Sequence, residues 1–473
     1  MKDFYRILIF VGLMFFLNCS KDNDPSFDGR TTKMSLSKDT ICVGINKSIS
    51  VDVIFDYPEV VEKIAISRKN SNGITTLYEN VQASEISGTT YSFKYSVTSE
   101  DRDDFNFIFL AINTQGRAVA IKTLLILIKP TLYASGLRMI SKVTGKLLSP
   151  DHKPSLTSPN NTLKYDVGGT DLGIMWEMEP TRIGLFFGDT TGKDWIPTEE
   201  GGPGRASNWR SNVLAFSTDT DLDDGLTIDS WITDENGNAR EIAYSAHNTS
   251  GTGDFTSIPT AAIRVGNVDY MHYMNVRTWQ STKGWDTNWS SMYISTDNGQ
   301  TWERKEEIFF GELSHFAQVC YAKNGDGYVY MIGTQSGRYD NAYLARIQQD
   351  EMLRQDEYEY WNDDSGWLKN QEFMASPIFE APVSEISLMY HEKFKMWLVT
   401  YLNQNNGIVF RYTKDLTGEW SDDINIVSGY EYGGMYSPYM HPLKSDGDRL
   451  YFLMSMWGYY NVYLMSVDMK LYE

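Results

Sequence analysis

The sequence predicts an all-β chain, with an immunoglobulin-like β-sandwich over 33–130 followed by a five-bladed β-propeller over 135–473. Two observations carry that expectation. Short alternating or apolar runs recur from end to end, separated by turns such as "NSNG" and "NTQG", without sustained helical periodicity. Aromatic residues make up 14% of the chain, with Tyr 30 and Trp 13, and these residue types suit strands and the packing between sheets.

Before the first strands comes a targeting segment. Lys2 and Arg6 precede an apolar run from Ile7 to Leu17, which is shorter than the roughly 20 residues that span a bilayer. It fits the core of a signal peptide over 1–18. Cys19 follows at once, as in a bacterial lipobox, where the thiol is acylated and becomes the first mature residue. The next residues, "SKDND", resemble the acidic tract that directs Bacteroidetes-type lipoproteins to the surface. The expectation is a lipid-anchored protein of the outer membrane or cell surface, with residues 19–32 as a polar tether.

Residues 33–130 contain some seven strand-like runs, among them "SISVDVIFDY", "VEKIAISRK" and "YSFKYSVT", which is the density of an immunoglobulin-like sandwich. A spacer role is expected for it. After Pro130, hairpin-like units with Trp- or Tyr-rich strands recur every 50 to 60 residues or so, and about 340 residues accommodate five blades. One short helix is expected near "QQDEMLRQDEYEYW". The stretch "STDNGQTW", 295–302, matches the Asp-box pattern of sialidase-like hairpins, with "TKDLTGEWS" a degenerate cousin. Asp297 there is expected to be structural, accepting backbone N–H bonds across its turn.

The charge balance, 42 basic against 62 acidic residues, gives −20 and excludes a basic stripe for nucleic acid. Cys42 and Cys320 fall one in each domain, so no disulfide framework is expected. There is no CxxC or HExxH, and the six histidines lack ligand spacing; neither a metal site nor a cofactor is expected.

The stretch 168–192, "GGTDLGIMWEMEPTRIGLFFGDTTG", reads as a hairpin that turns at Pro180. Asp171 lies nine residues before that proline and Asp189 nine after, so both acids come to the same open end. Residues directly opposite on paired strands are about 5 Å apart at Cβ. Turn aspartates bonding their own backbone would explain the same pattern, and the hairpin alone does not choose.

This stretch, with "WRSNVLAFSTDTDLDDGLTID", "IPTAAIRV", "VSEISLMY" and "YSPYMHP", resembles the domain of unknown function 4185 family over roughly 135–473. The resemblance implies an extracytoplasmic five-bladed propeller, with glycoside hydrolases of endo-D-arabinanase type among its members. It also implies that Asp171 and Asp189 are the catalytic pair. Glycoside hydrolysis needs one protonated and one ionised carboxyl group, and repulsion between close acids separates those states. The expected substrate is a furanose-containing polysaccharide, most simply D-arabinan.

Further binding candidates are Arg210 and Asn212 in "WRSN", for sugar hydroxyls, and Glu385 in "VSEIS", as a third acid. Tyr436 and His441 are candidates for a stacking platform, with Trp457 expected in the core; His272 and Gln318 are candidates for the funnel wall. The alternatives are a non-catalytic glycan-binding lipoprotein and a sialidase-like glycosidase, which would need an arginine triad. Cys19→Ala should abolish acylation and release the protein from membranes; unchanged processing and membrane association would refute the lipoprotein expectation.

Overall fold

Alternation in the sequence becomes strand throughout, and the chain is all-β, without an α-helix among the described residues. The computed structural model describes residues 32–44, 47–98, 100–101, 103–128, 131–146, 156–405 and 407–472. The signal segment and Cys19 lie outside them. The expected helix near 349–360 is replaced by two 3₁₀ turns, Gln349–Glu351 and Gln355–Glu357.

Two compact units divide the chain, Met1–Thr131 with Tyr472–Glu473, and Leu132–Leu471. The first holds a three-stranded and a five-stranded sheet that share one apolar core. Period-two burial makes that core. In Ser48–Phe55 the residues Ile49, Val51, Val53 and Phe55 point inward, and in Phe105–Ile112 so do Phe105, Phe107, Phe109 and Ala111.

In the second unit, five sheets follow one another, each begun by an inner strand: Leu172–Glu179, Thr256–Val265, Gln318–Ala322, Pro377–His391 and Met435–Met440. Each inner strand packs on the next, and the fifth packs on the first, so the five form a closed ring. The third and fourth sheets are continuous, because Pro377–His391 begins by pairing with Asp340–Gln348. The fifth sheet takes its outermost strand, Thr131–Lys142, from the start of the unit and pairs it with Asn461–Tyr472. The two ends of the second unit are thereby joined by a ladder of hydrogen bonds.

Four of the five inner strands carry a bulge or irregularity beside the cavity, at Leu172/Ile174, Pro259/Ala261, Ser384/Ser387 and Tyr436/Tyr439. A bulge re-aims the side chains beside it. Three of these sites also hold a non-glycine residue at left-handed φ: Leu172 at 69°, Glu385 at 42° and Ser437 at 54°. Such backbone costs on the order of 1–3 kcal/mol per residue and collects at functional sites.

The Asp box behaves as its chemistry requires. Asp297 Oδ1 accepts from the Gln300 and Thr301 backbone N–H groups at 3.0 and 2.9 Å, and Oδ2 accepts from Thr301 Oγ1 at 2.6 Å. Trp302 packs edge-on against Trp176 and Phe186, which ties the hairpin of the second sheet to the first. Slight burial opposes ionisation of Asp297, but the bonds from Thr301, Ser295 and Gln300 outweigh it and hold the carboxyl at about 2. Since that value lies below the unfolded value near 4, the stabilisation is present above pH ~4 and fades as pH falls towards 2. Asp297→Ala should therefore cost about 1 kcal/mol near neutrality, as lost caps do. Thermal melts should show the difference narrowing in acid, with specific activity of the folded protein unchanged.

Candidate active site

At the bulged ends of the inner strands opens a cavity of about 1090 Å³, lined from all five sheets. Asp171 precedes the first inner strand and Asp189 follows its partner, Arg182–Phe187. The turn is tight, with Glu179 paired to Arg182 around Pro180 and Thr181. At the open end the Thr170 and Thr190 hydroxyls bond each other at 2.6 Å, and Gly169 bridges Thr191. The first ladder pair inward is Leu172 with Phe187, so the register slips by one residue between it and that bridge, and Asp171 and Asp189 both lie at the slip.

Gly188, next to Asp189 in the chain, donates its N–H to Asp171 O at 3.1 Å. A methyl group at Gly188 would stand 2.4 Å from Asp171 Oδ1, so glycine is required for the carboxyl group to lie where it does.

The two acids have different surroundings. Asp171 Oδ2 accepts from the Tyr436 hydroxyl at 2.9 Å, while Oδ1 is sealed from solvent without a partner. Asp189 is better served: its Oδ1 accepts from Thr256 Oγ1 at 2.6 Å and Trp209 Nε1 at 2.7 Å. Trp209 lies against His247, their ring centres 4.1 Å apart, and His247 Nε2 is 3.1 Å from Glu241 Oε1. The hydrogen bond to Glu241 raises the His247 pKa, favouring a cation near Asp189.

Ionisation follows. Burial first, then repulsion by Asp189, pushes Asp171 up to about 8, with Tyr436 and Arg338 opposing and Glu385 adding to the rise. Burial also lifts Asp189, but the bonds from Thr256 and Trp209 and the charge of His247 limit it to about 6. Near neutrality Asp189 is mostly ionised and Asp171 mostly protonated. An orphaned buried oxygen is tolerable on a neutral carboxyl group and costly on a carboxylate.

The structure brings Asp171, Asp189, Gln318, Glu385 and Tyr436 together on this cavity. Gln318 has a holding role: its amide donates to the Gln335 and Gly337 carbonyls, and its Oε1 accepts from Glu385 N. Arg210 and Asn212, expected to meet sugar hydroxyls, are buried and do not line the cavity. The Arg210 guanidinium donates to the Ala239 and Asp166 carbonyls, and the Asn212 amide bonds backbone groups of Ile242, Ala243 and Ser257. It is Trp209, next to Arg210, that reaches the site.

His272 is buried on the second strand of its sheet, its Nδ1 3.2 Å from the Tyr321 hydroxyl, and does not line the cavity. His441 is fully buried beyond the other end of the Tyr436 strand. Five residues of strand span roughly 15 Å, so the two cannot form one platform. Trp457, expected in the core, is instead 47% exposed on the cavity, held by its Nε1 bond to Glu200 O.

Sequence reasoning missed Trp209, Thr256, Arg338 and Tyr460. Tyr460 donates to Asp189 O at 3.0 Å, and Arg338 pairs with Glu385 at 2.6 Å. Among the described residues no group of three or more His, Cys, Asp or Glu is placed to hold a metal ion.

An acid whose pKa rises on folding binds its proton more tightly in the native chain. Stability therefore falls as pH rises from the unfolded value near 4 towards about 8. Asp171→Asn keeps the shape and removes that penalty. Its melting temperature near neutrality should equal or exceed that of the parent, with the difference vanishing below pH ~4. A lower melting temperature near neutrality would show that the carboxyl group stabilises the fold.

Comparison with known proteins agrees with the motifs. The chain is 28% identical over 319 residues to notoamide biosynthesis cluster protein J of Aspergillus sp. (strain MF297-2), covering 62% of this chain and 81% of that one. It is 27% identical over 316 residues to notoamide biosynthesis cluster protein J' of Aspergillus versicolor, covering 62% and 82%. Among solved structures, a protein of unknown function from Dyadobacter fermentans DSM 18053 aligns at 11% identity and a TM-score of 0.40, covering 93% of this chain and 99% of that one. The family described as "Domain of unknown function (DUF4185)" matches residues 157–466, more than half of the chain, and the chain belongs to that family.

Proposed function

We propose that the protein is a glycoside hydrolase of furanose-containing polysaccharide, with D-arabinan as substrate, built on a five-bladed β-propeller behind an immunoglobulin-like domain. A lipid on Cys19 would hold it at the cell surface. The observation that carries this reading is the acid pair: two carboxyl groups at the open end of one hairpin, Asp189 buried and Asp171 partly so, that line one open cavity with unequal sets of hydrogen-bond donors. Trp457, Tyr430 and Trp279 are exposed on the same cavity, where rings of this kind stack on sugar faces.

Asp171, protonated, gives its proton to the leaving glycosidic oxygen. Asp189, ionised and aimed by Trp209 and Thr256, attacks the anomeric carbon to form a glycosyl ester. Water, activated by the now ionised Asp171, then hydrolyses the ester with retained configuration. Placement of the two acids at the same end of adjacent hairpin strands favours the ~5 Å separation of retaining enzymes over the wider inverting one. A sialidase-like site is disfavoured, because Arg338 is the one arginine among the described residues lining the cavity.

A second reading is favoured by apolar walls, including Ile174, Ile258, Met274, Leu402 and Met435, and by relatives named for a biosynthesis cluster. In it, the same pair performs proton transfer on a small apolar molecule.

Purified protein incubated with arabinans, galactans and sialosides separates these readings. Release of arabinose oligomers supports the first; no sugar from any of them removes it. Asp171→Asn and Asp189→Asn should each lose at least ~10²-fold in kcat while staying folded. The kcat/KM profile should be a bell with limbs near pH 6 and pH 8, belonging to the pair. NMR should show the first-formed anomer matching the substrate.

A further inference from the structure

One charged device on the cavity has no part in the hydrolysis as written: Arg338 and Glu385. Arg338 sits in the turn between Tyr328–Thr334 and Asp340–Gln348. Its Nε and Nη2 both donate to Glu385 Oε1, at 3.1 and 2.6 Å, and its guanidinium lies 5.4 Å from the Trp285 ring centre and 5.5 Å from that of Tyr436. Tyr436 is the residue whose hydroxyl holds Asp171, so the cation stands one ring away from the acid.

Glu385 is held in place from three sides. Ser384 Oγ donates to its Oε2, Gln318 Oε1 accepts from its backbone N–H, and its φ is 42° at the bulge of the fourth inner strand. A strained, largely enclosed third carboxylate is a costly addition to a cavity that already contains two acids. What it does is occupy Arg338. A guanidinium released beside Asp171 would make a charge-assisted pair with the carboxylate and drive its proton off.

We propose that Glu385 is a positioning residue that acts through Arg338: by engaging the guanidinium it denies Asp171 a counter-ion and so keeps Asp171 in the protonated form that a general acid needs. This rests on the acid pair assigned above. The titratable groups facing Asp171 are Asp189 beyond the neighbouring strand, Tyr436 and Glu385 from the fifth and fourth inner strands, Arg338 from its turn, and Tyr460 from the last hairpin. Of these, Arg338 is the cation.

The test is the alkaline limb of the kcat/KM profile in the full chain, together with the infrared carbonyl band of protonated Asp171. That band is assigned by its loss in Asp171→Asn and is read without turnover. Glu385→Gln should move both downward by a pH unit or more. Glu385→Asp should restore much of the shift, and Glu385→Gln with Arg338→Gln should return them to the parent position or above. A folded Glu385→Gln with an unmoved band overturns the proposal, as does a double variant that stays low. If Glu385→Gln does not fold, Arg338→Gln decides: an upward shift supports the proposal, and an unmoved band overturns it. If no glycan is hydrolysed, the hydrolase reading fails while the band still decides this one.

Discussion

The site depends on the closure of the ring of sheets. Thr131–Lys142, the first strand of the second unit, pairs with Asn461–Tyr472, its last, and this brings the first and fifth sheets side by side. The acid pair sits over that seam. Asp171 of the first sheet is held by Tyr436 of the fifth, Leu172 N donates to Ser455 Oγ, and Tyr460 donates to Asp189 O. Gly202 N and Glu200 O bond the backbone and indole of Trp457 across the same junction. Opening the terminal pairing would separate Asp171 from Tyr436 and the Asp189 carbonyl from Tyr460, while Thr256 and Trp209 would stay with the Asp189 carboxyl group.

Placing two acids on one hairpin makes them neighbours, but their difference comes from other sheets. Asp189 receives two hydrogen bonds and lies near His247, whose positive charge Glu241 favours, whereas Asp171 receives one phenol and faces two like charges. Repulsion within a pair raises whichever carboxyl group is less well solvated, so the asymmetry of donors decides which acid keeps the proton. Tyr436 is aimed by the bulge of its strand, next to Ser437 at left-handed φ, whereas Trp209 and His247 reach the pair from loops and Thr256 from the first residue of its strand.

The Asp-box aspartate and the cavity aspartates differ in the donors around them. Asp297 is surrounded by N–H and O–H groups, which lower its pKa to about 2 and commit it to its turn. Asp171 has a sealed oxygen without a donor, an arrangement that serves no turn and suits a group that must exchange a proton.

What the sequence alone determined was local. Alternation with Gly and Asn turns set the all-β class, the Asp box specified its own turn, and the spacing about Pro180 placed Asp171 and Asp189 at one end of a hairpin. These features rest on contacts between residues close in the chain. Arg338 and Tyr460, by contrast, meet the acids across 167 and 271 positions (338 minus 171, and 460 minus 189), and nothing near them in sequence marks the encounter. Arg210 and His441 show the converse: polar residues in conspicuous motifs that the tertiary structure uses for backbone support or buries at the far end of a strand. Which polar side chain reaches the cavity is set by bulges and by how the sheets pack round the ring. Those are properties of the closed structure, because a strand's phase at its end depends on every register shift before it.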